Sequence, residues 1–301
     1  MIRGIIMKKM MKIASFGEIV WDMLPEGKQL GGAPVNFAFY AAQFGAEACP
    51  ITALGNDSLG KEAYGKLRET GLNIDLVQGN MMPTGKVLVS LDNAGVPSYN
   101  IVENVAWDGI ECTQKARSFA ARADAICWGS LAQRSTRSRE SLLSLVDAAG
   151  EDCLKVFDIN IRQDYYSRPL VENSLYRADI LKLNEDELPL LQKMLNLPED
   201  REKAVGDLIV QYSMKEVIFT QGAICSSIYD VSGLISNLPT PKVKVADTVG
   251  AGDSFTAAYI AARLGGKTVS EAHALAVEVS AYVCTCHGAI NPLPPALLGR
   301  I

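Results

Sequence analysis

The chain alternates short apolar runs with longer segments of helical periodicity. Lys12 to Ile19 has a charged start followed by apolar residues and predicts a first strand. Pro34 to Phe44 predicts a helix, with Pro near its first turn and Gly45 just past its end. Cys49 to Leu54 predicts a strand, and Asp57 or Ser58 caps a helix that runs to Thr70 and stops at Gly71. The pairing returns as a strand at Ala123 to Trp128 and a helix at Arg137 to Ala149, followed by strands at Lys155 to Asn160 and Ile180 to Leu183. A helix from Glu199 to Tyr212 feeds a strand from Glu216 to Thr220, and helices at Ala251 to Leu264 and Val269 to Cys284 close the chain. Short apolar strands alternating with helices predict an α/β fold whose mostly parallel sheet is covered by helices on both faces.

One region breaks the alternation. Thr84 to Glu103 reads as two strands around Asp92-Asn-Ala-Gly95, with every second residue apolar at Val87, Val89 and Leu91. A hairpin there predicts a small antiparallel flap, joined by residues around Ile19 to Leu30. No repeat, low-complexity segment or linker interrupts residues 1–301, which predicts one domain carrying a lid built from about 19–30 and 84–104.

Composition sets limits on partners. The 301 residues are 48% apolar and 21% charged with net charge −5, which supports a sizeable core. That balance gives no overall field for nucleic acid or an anionic membrane. No stretch of about 18 apolar residues is present, and the Met1 to Lys12 segment lacks the features of a signal peptide. Seven cysteines, placed singly in apolar runs, read as reduced thiols of a cytoplasmic protein. Met1, Met7, Met10 and Met11 are alternative starts. Cys284, Cys286 and His287 lack the second ligand pair that a zinc site needs.

The strongest chemical signal is Asp247-Thr-Val-Gly250-Ala251-Gly252-Asp253, which leads directly into an apolar helix. Such a turn leaves the amides of Gly250, Ala251 and Gly252 at the positive end of a helix, where an anion is held. A carboxylate beside an anion hole suits phosphoryl transfer to a hydroxyl: Asp253 takes the proton and the amides stabilise the moving group. On spacing alone, an ordinary glycine-rich turn with Asp253 as a helix cap reads equally well.

The motif resembles the C-terminal signature of the ribokinase-like (PfkB) carbohydrate kinases. Gly31-Gly32-Ala33-Pro34-Val35-Asn36 is similar to the family's N-terminal Gly-Gly motif in its fructokinase form. Leu54-Gly55-Asn56-Asp57-Ser-Leu-Gly60 resembles its next block, and Asn184-Glu-Asp-Glu187 its Asn-x-x-Glu motif near magnesium and phosphate. The resemblance runs in order from about Lys12 to Pro295 and implies a three-layer fold with a β lid over the sugar. It implies that Asp253 is the catalytic base and that Gly250, Ala251 and Gly252 form the anion hole. It places Asp22, Gly31, Gly32, Asn36, Asn160 and Arg162 at the sugar, the last two from Asp158-Ile-Asn160-Ile-Arg162 at a strand end. Two glycines let a ligand approach the backbone, and a carboxylate such as Asp22 can accept two vicinal hydroxyls.

Further residues follow from the same resemblance. Asn184, Glu187, Thr220, Gly222, Thr248 and His287 are implied at the nucleotide, with Glu187 acting on Mg²⁺ through water. Asp247 and Val249 lie where many relatives hold a monovalent cation, K⁺ among them. Gln221 stands where a basic residue is often found. The expected cofactors are ATP and Mg²⁺, and the expected activity is phosphorylation of a sugar, fructose to fructose 6-phosphate first. Ketodeoxygluconate kinase and ribokinase are alternatives, and a sugar-binding regulator without catalysis is a more distant one. A substrate already bearing a phosphate would need more cations than Lys28, the one basic residue between Gly17 and Ala46. Exposed lid strands suit a homodimer. Gly265-Gly266-Lys267-Thr268 is not a Walker loop, because Ala261 occupies the first glycine position and a helix precedes it. No Gly-x-Gly-x-x-Gly follows the first strand, so a dinucleotide fold is not indicated.

Overall fold

The computed structural model describes residues 10–24, 27–91 and 97–301. Among these, nine strands form a central sheet in the order β13 (Gly233–Pro239), β12 (Cys225–Asp230), β11 (Glu216–Gln221), β10 (Ile180–Asn184), β9 (Leu154–Asp158), β8 (Ala125–Trp128), β1 (Lys12–Phe16), β4 (Glu47–Gly55) and β5 (Val77–Asn80). From β11 to β5 all pairings are parallel, and β12 and β13 extend the sheet as an antiparallel hairpin.

Alternation along the strands divides the core in two. Phe16, Ile51, Trp128, Phe157, Leu181 and Phe219 face helices α3 (Gln114–Ala120), α4 (Thr136–Ala148), α5 (Arg168–Leu175), α6 (Glu187–Leu195) and α7 (Arg201–Tyr212). Ile13, Ala125, Val156, Ile180, Ile218 and Ile228 face α1 (Ala33–Gln43), α2 (Ser58–Glu69), α8 (Ala251–Leu264), α9 (Val269–Val283) and α10 (Pro295–Leu298). This is the three-layer arrangement that runs of Val, Ile, Leu and Phe demand, since both strand faces must be buried. Among the described residues no helix is long and apolar enough to cross a membrane.

Helices α2, α3, α5, α7 and α9 start where the sequence supplies a side-chain cap. Asp57 accepts the Gly60 N–H at 2.7 Å ahead of α2, and Thr268 and Glu271 form a reciprocal capping box ahead of α9.

A second sheet, ordered β3 (Gly27–Gly31), β2 (Val20–Leu24), β6 (Lys86–Leu91) and β7 (Pro97–Ile101), rises from the end of β1. It uses the segments assigned to the lid, but it is not purely antiparallel: β2 and β6 run parallel, with Asp22 opposite Val87. The Asp92–Gly95 turn lies outside the described residues, as do Met1 and Met7.

The periodicity missed seven elements of this frame: strands β5, β12 and β13, and helices α3, α5, α6 and the four-residue α10. The hairpin was hidden because β13, Gly-Leu-Ile-Ser-Asn-Leu-Pro, is an exposed edge with no buried face to impose a pattern.

Candidate active site

A cleft of about 1290 Å³ opens at the carboxyl ends of the parallel strands, beneath the small sheet. The chain leaves β1 toward β4 on one side and later returns to β8 on the other, so β1 and β8 flank a reversal of winding. Loops diverge at such a point and leave a crevice.

Asp253 lies in the first turn of α8, half-buried on the wall of the cleft. Gly250 caps the helix with φ +78°, a left-handed value, and no side chain caps it. The Ala251 N–H is bonded to the Thr248 carbonyl at 3.2 Å, contrary to the expectation that it faces a ligand. The amides of Gly250, Gly252 and Asp253 have no acceptor among the described residues, and they form the positive end of the helix. A Cβ on Gly250 would stand 2.9 Å from the Ala289 carbonyl, so packing as well as torsion demands glycine.

Asn36, in the first turns of α1, donates from Nδ2 to Asp253 Oδ2 at 2.8 Å. The sequence reading gave Asn36 to the sugar; the structure spends its amide nitrogen on Asp253 and leaves Asn36 Oδ1 buried without a partner. Burial pushes the Asp253 carboxyl up to about 6, against the Asn36 hydrogen bond that lowers it. Asp158 adds to the rise, while Lys182 and Arg162 oppose it.

Of the other expected sugar residues, Asp22, Gly32, Asn160 and Arg162 line the same space, and Gly31 does not. Asp22, on β2, lines the cleft with its carboxylate hydrogen-bonded to no other described residue, and burial raises that carboxyl. Gly31 leaves room for it, since a Cβ there would approach Asp22 Oδ2 to 3.1 Å. Gly32, at φ +126°, serves the backbone before any ligand: a Cβ would collide with the Glu18 carbonyl at 2.4 Å. Asn160 turns the chain at φ +44°, a left-handed position that Asn tolerates better than most residues. Arg162 is exposed at the cleft and bonds only the Ile161 carbonyl, at 2.9 Å.

At the other end, Thr220, Gly222, Thr248 and Val249 line the cleft, together with Asn184. His287 does not; it is exposed, and its carbonyl accepts from Asn291. Asp247 holds the turn together: Oδ1 accepts the Thr248 and Val249 amides at 2.7 and 3.1 Å, and Oδ2 accepts the Gly288 amide at 3.0 Å.

Glu187 is 4% exposed and stands behind the wall. Its Oε1 accepts the Ile161 N–H and its Oε2 the Asn184 N–H, both at 2.9 Å, while Asn184 Oδ1 accepts the Glu187 N–H at 3.0 Å. Burial raises its carboxyl, and the Lys182 ammonium opposes that rise. Its two acidic neighbours, Glu185 and Asp186, do line the cleft, and both are exposed. Sequence reasoning also passed over Glu18 and Lys182, which are buried and line the cleft. Lys182 had a readable signal, a lone charge in the apolar strand Ile180-Leu-Lys-Leu.

A family model described as "pfkB family carbohydrate kinase" matches residues 13–296. The chain belongs to the PfkB family of carbohydrate kinases. Among curated PfkB-like relatives, 5-dehydro-2-deoxygluconokinase 1 of Bacillus cereus is 24% identical over 281 residues, covering 89% of this chain and 83% of that protein. The crystal structure of fructokinase with bound ATP from Xylella fastidiosa aligns with TM-score 0.85 at 22% identity, covering 96% of this chain and 98% of that one. The 2-dehydro-3-deoxygluconokinase of Thermotoga maritima aligns with TM-score 0.78 at 20% identity, covering 96% and 98%. At these identities the structural likenesses establish the PfkB fold.

Proposed function

We propose that this sugar kinase transfers the γ-phosphoryl group of ATP to a primary hydroxyl of a sugar, with fructose, giving fructose 6-phosphate, as the first substrate. The observation that carries the reading is the union of a raised carboxylate and unpaired amides in one helical turn. Asp253 takes the hydroxyl proton as the oxygen attacks phosphorus; a carboxyl near 6 is a better base than an ordinary aspartate. The amides of Gly250, Gly252 and Asp253 accept the charge of the moving group. Asp22, Asn160 and the free Oδ1 of Asn36 orient sugar hydroxyls, and the small sheet excludes water. Thr220, Gly222, Thr248 and Asn184 border the nucleotide end, and His287 lies outside that border.

Mg²⁺ bound with ATP would keep most of its waters, so exposed carboxylates suit it better than buried ones. Glu185 and Asp186 fit that need; Glu187, with both oxygens taken by amides, contributes charge from one layer deeper. Mg²⁺ supplies charge neutralisation on the phosphates. For K⁺, carbonyls of the Asp247 to Val249 turn are the available oxygens. Assembly into dimers through the small sheet is the quaternary reading; a monomeric mass in light scattering would remove it.

Arg162 supports a second substrate reading. Its guanidinium pairs with no carboxylate among the described residues and faces the cleft, where the carboxylate of a deoxy-keto sugar acid would satisfy it. The Bacillus and Thermotoga relatives are named for such acids.

The test is ADP release with Mg-ATP against fructose, ribose, glucose, 2-keto-3-deoxygluconate, 5-keto-2-deoxygluconate and fructose 6-phosphate, beside a sugar-free blank. Turnover on fructose above all others supports the first reading. Turnover on an acid, lost about ten-fold or more in KM with Arg162→Met, supports the second. Sugar binding with no ADP from any member removes both substrate readings, calls for a wider panel and favours a sugar-binding regulator without catalysis.

A further inference from the structure

Lys182 is a charged residue inside an apolar strand, and it is 8% exposed. Its Nζ donates to Asp158 Oδ1 at 3.0 Å. Asp158 Oδ2 in turn accepts from Thr256 Oγ1 at 3.1 Å, and Thr256 Oγ1 also reaches the Gly252 carbonyl at 3.0 Å. A Cβ built on Gly252 would stand 3.2 Å from Lys182 Nζ. The ammonium is therefore pressed against the first turn of α8, with Lys182 on the cleft wall.

This placement is hard to explain as stabilisation alone. A buried ion pair recovers little of its desolvation cost, and apolar residues of the same size would hold the two strands at least as well. The surroundings supply a different reason. Asp253 is faced by Asn36 and Tyr40 from α1, Cys127 from β8, Asp158 at the end of β9, Arg162 beyond it, and Lys182 from β10. Glu18 lies across a cavity of about 20 Å³ that Asp253 also lines. Glu187 faces Lys182 from α6. Acids outnumber cations here, and of the two cations only Lys182 is buried. A phosphoryl group entering this space brings more negative charge.

We propose that Lys182 is a positioning residue of the kinase reaction, whose ammonium completes the anion hole from beneath Gly252 and holds Asp253 in its ionised, basic form. This rests on the reading of Asp253 as base. Burial alone would weaken the ammonium's hold on its proton, but Asp158, Glu187 and Asp253 together outweigh burial and strengthen it. Lys182 and Asp158 act on Asp253 in opposite senses, the first lowering its proton affinity and the second raising it.

The opposition gives the test. The acid limb of kcat against pH is measured by ADP release for wild type, Lys182→Met, Lys182→Arg and Asp158→Asn. In parallel, the Asp253 titration is read without activity, from urea unfolding against pH with and without Asp253→Asn. Lys182→Met is expected to raise the limb by about one pH unit and lower kcat at pH 7 about ten-fold or more. Asp158→Asn is expected to move the limb downward, and Lys182→Arg to keep it near wild type.

Should Lys182→Met fail to fold, leaving Asp158 buried alone, the double variant Lys182→Met/Asp158→Asn removes both charges. Its limb is expected near wild type with kcat still depressed. An unmoved limb and titration in Lys182→Met, shifts of one sign in both single variants, or wild-type kcat in the double variant would overturn the proposal. If Asp253→Asn keeps full turnover while the unfolding titration still responds to Lys182, the base reading fails and the electrostatic coupling stands.

Discussion

Replacing Asp253 by Asn should remove activity and, in the same step, stabilise the fold. The carboxyl is displaced from 3.8 to about 6, chiefly because burial disfavours its charge. That displacement corresponds to about 3 kcal/mol of destabilisation once Asp253 is fully ionised. The sign follows from the direction. A carboxyl raised in the folded state costs nothing below the unfolded value of 3.8, where both states are protonated. The cost grows as pH rises through the window from 3.8 to about 6 and is constant above it. Asn carries no such charge and can still accept the Asn36 amide through its oxygen. Urea unfolding should therefore show Asp253→Asn more stable by about 1.5 kcal/mol at pH 5 and about 3 kcal/mol at pH 8. Over the same range kcat should fall about 10²–10⁴-fold with sugar and ATP binding largely kept. A variant less stable than wild type, or a stability difference flat with pH, would refute the electrostatic account. Loss of binding in place of kcat would make Asp253 a structural residue.

Two other substitutions separate framework from chemistry. Gly250→Ala should destabilise by about 1–2 kcal/mol or more in urea unfolding, since φ is +78° and the new Cβ meets the Ala289 carbonyl, whereas Gly252→Ala should leave stability within about 1 kcal/mol yet lower kcat severalfold by displacing Lys182. Equal stability loss in the two would count against the difference drawn between these glycines. Glu187→Gln turns one oxygen that accepts a backbone N–H into a donor, so Tm should fall with a loss of about 1–3 kcal/mol, while Glu185→Gln should raise the Mg²⁺ needed for half-maximal rate. A Glu187→Gln protein of unchanged Tm but higher Mg²⁺ requirement would return the metal to Glu187.

The fold was legible wherever one constraint wrote the pattern twice, in periodicity and in punctuation. The helix from Ala251 to Leu264 is both apolar and bounded by Gly250 and Gly265, and it begins and ends at the residues read from sequence. The strands from β8 to β11 are apolar because helices cover both faces, so burial itself produced the signal. Where burial is one-sided or absent the signal faded. The eight-residue α5 carries too few turns to show a face, and β13 has no fully buried side chain to write a pattern, its ladder to β12 being joined by a hydrogen bond between Ser236 and His273 and by Leu238 packed against the core.

The site divides along a similar line. The turn from Gly250 to Asp253 could be read locally, because a left-handed glycine and a helix start are properties of neighbouring residues. Partners brought together by folding could not. Asn36 and Asp253 are 217 positions apart, and only the packing of α1 beside α8 spends the Asn36 amide on the base. Glu187 shows how small the deciding detail can be. The three acids Glu185, Asp186 and Glu187 are equivalent in composition, but Asn184 caps the amides of Asp186 and Glu187 and so fixes where α6 begins. That single cap turns Glu187 inward onto the Ile161 and Asn184 amides and leaves its two neighbours at the cleft. Lys182 completes the contrast: a lone lysine in an apolar strand announced a buried charge, but its relation to Gly252 exists only once β10 lies under α8. The chemistry proposed for Asp253 thus depends on a base that the sequence names and on a cation and an amide that the fold delivers.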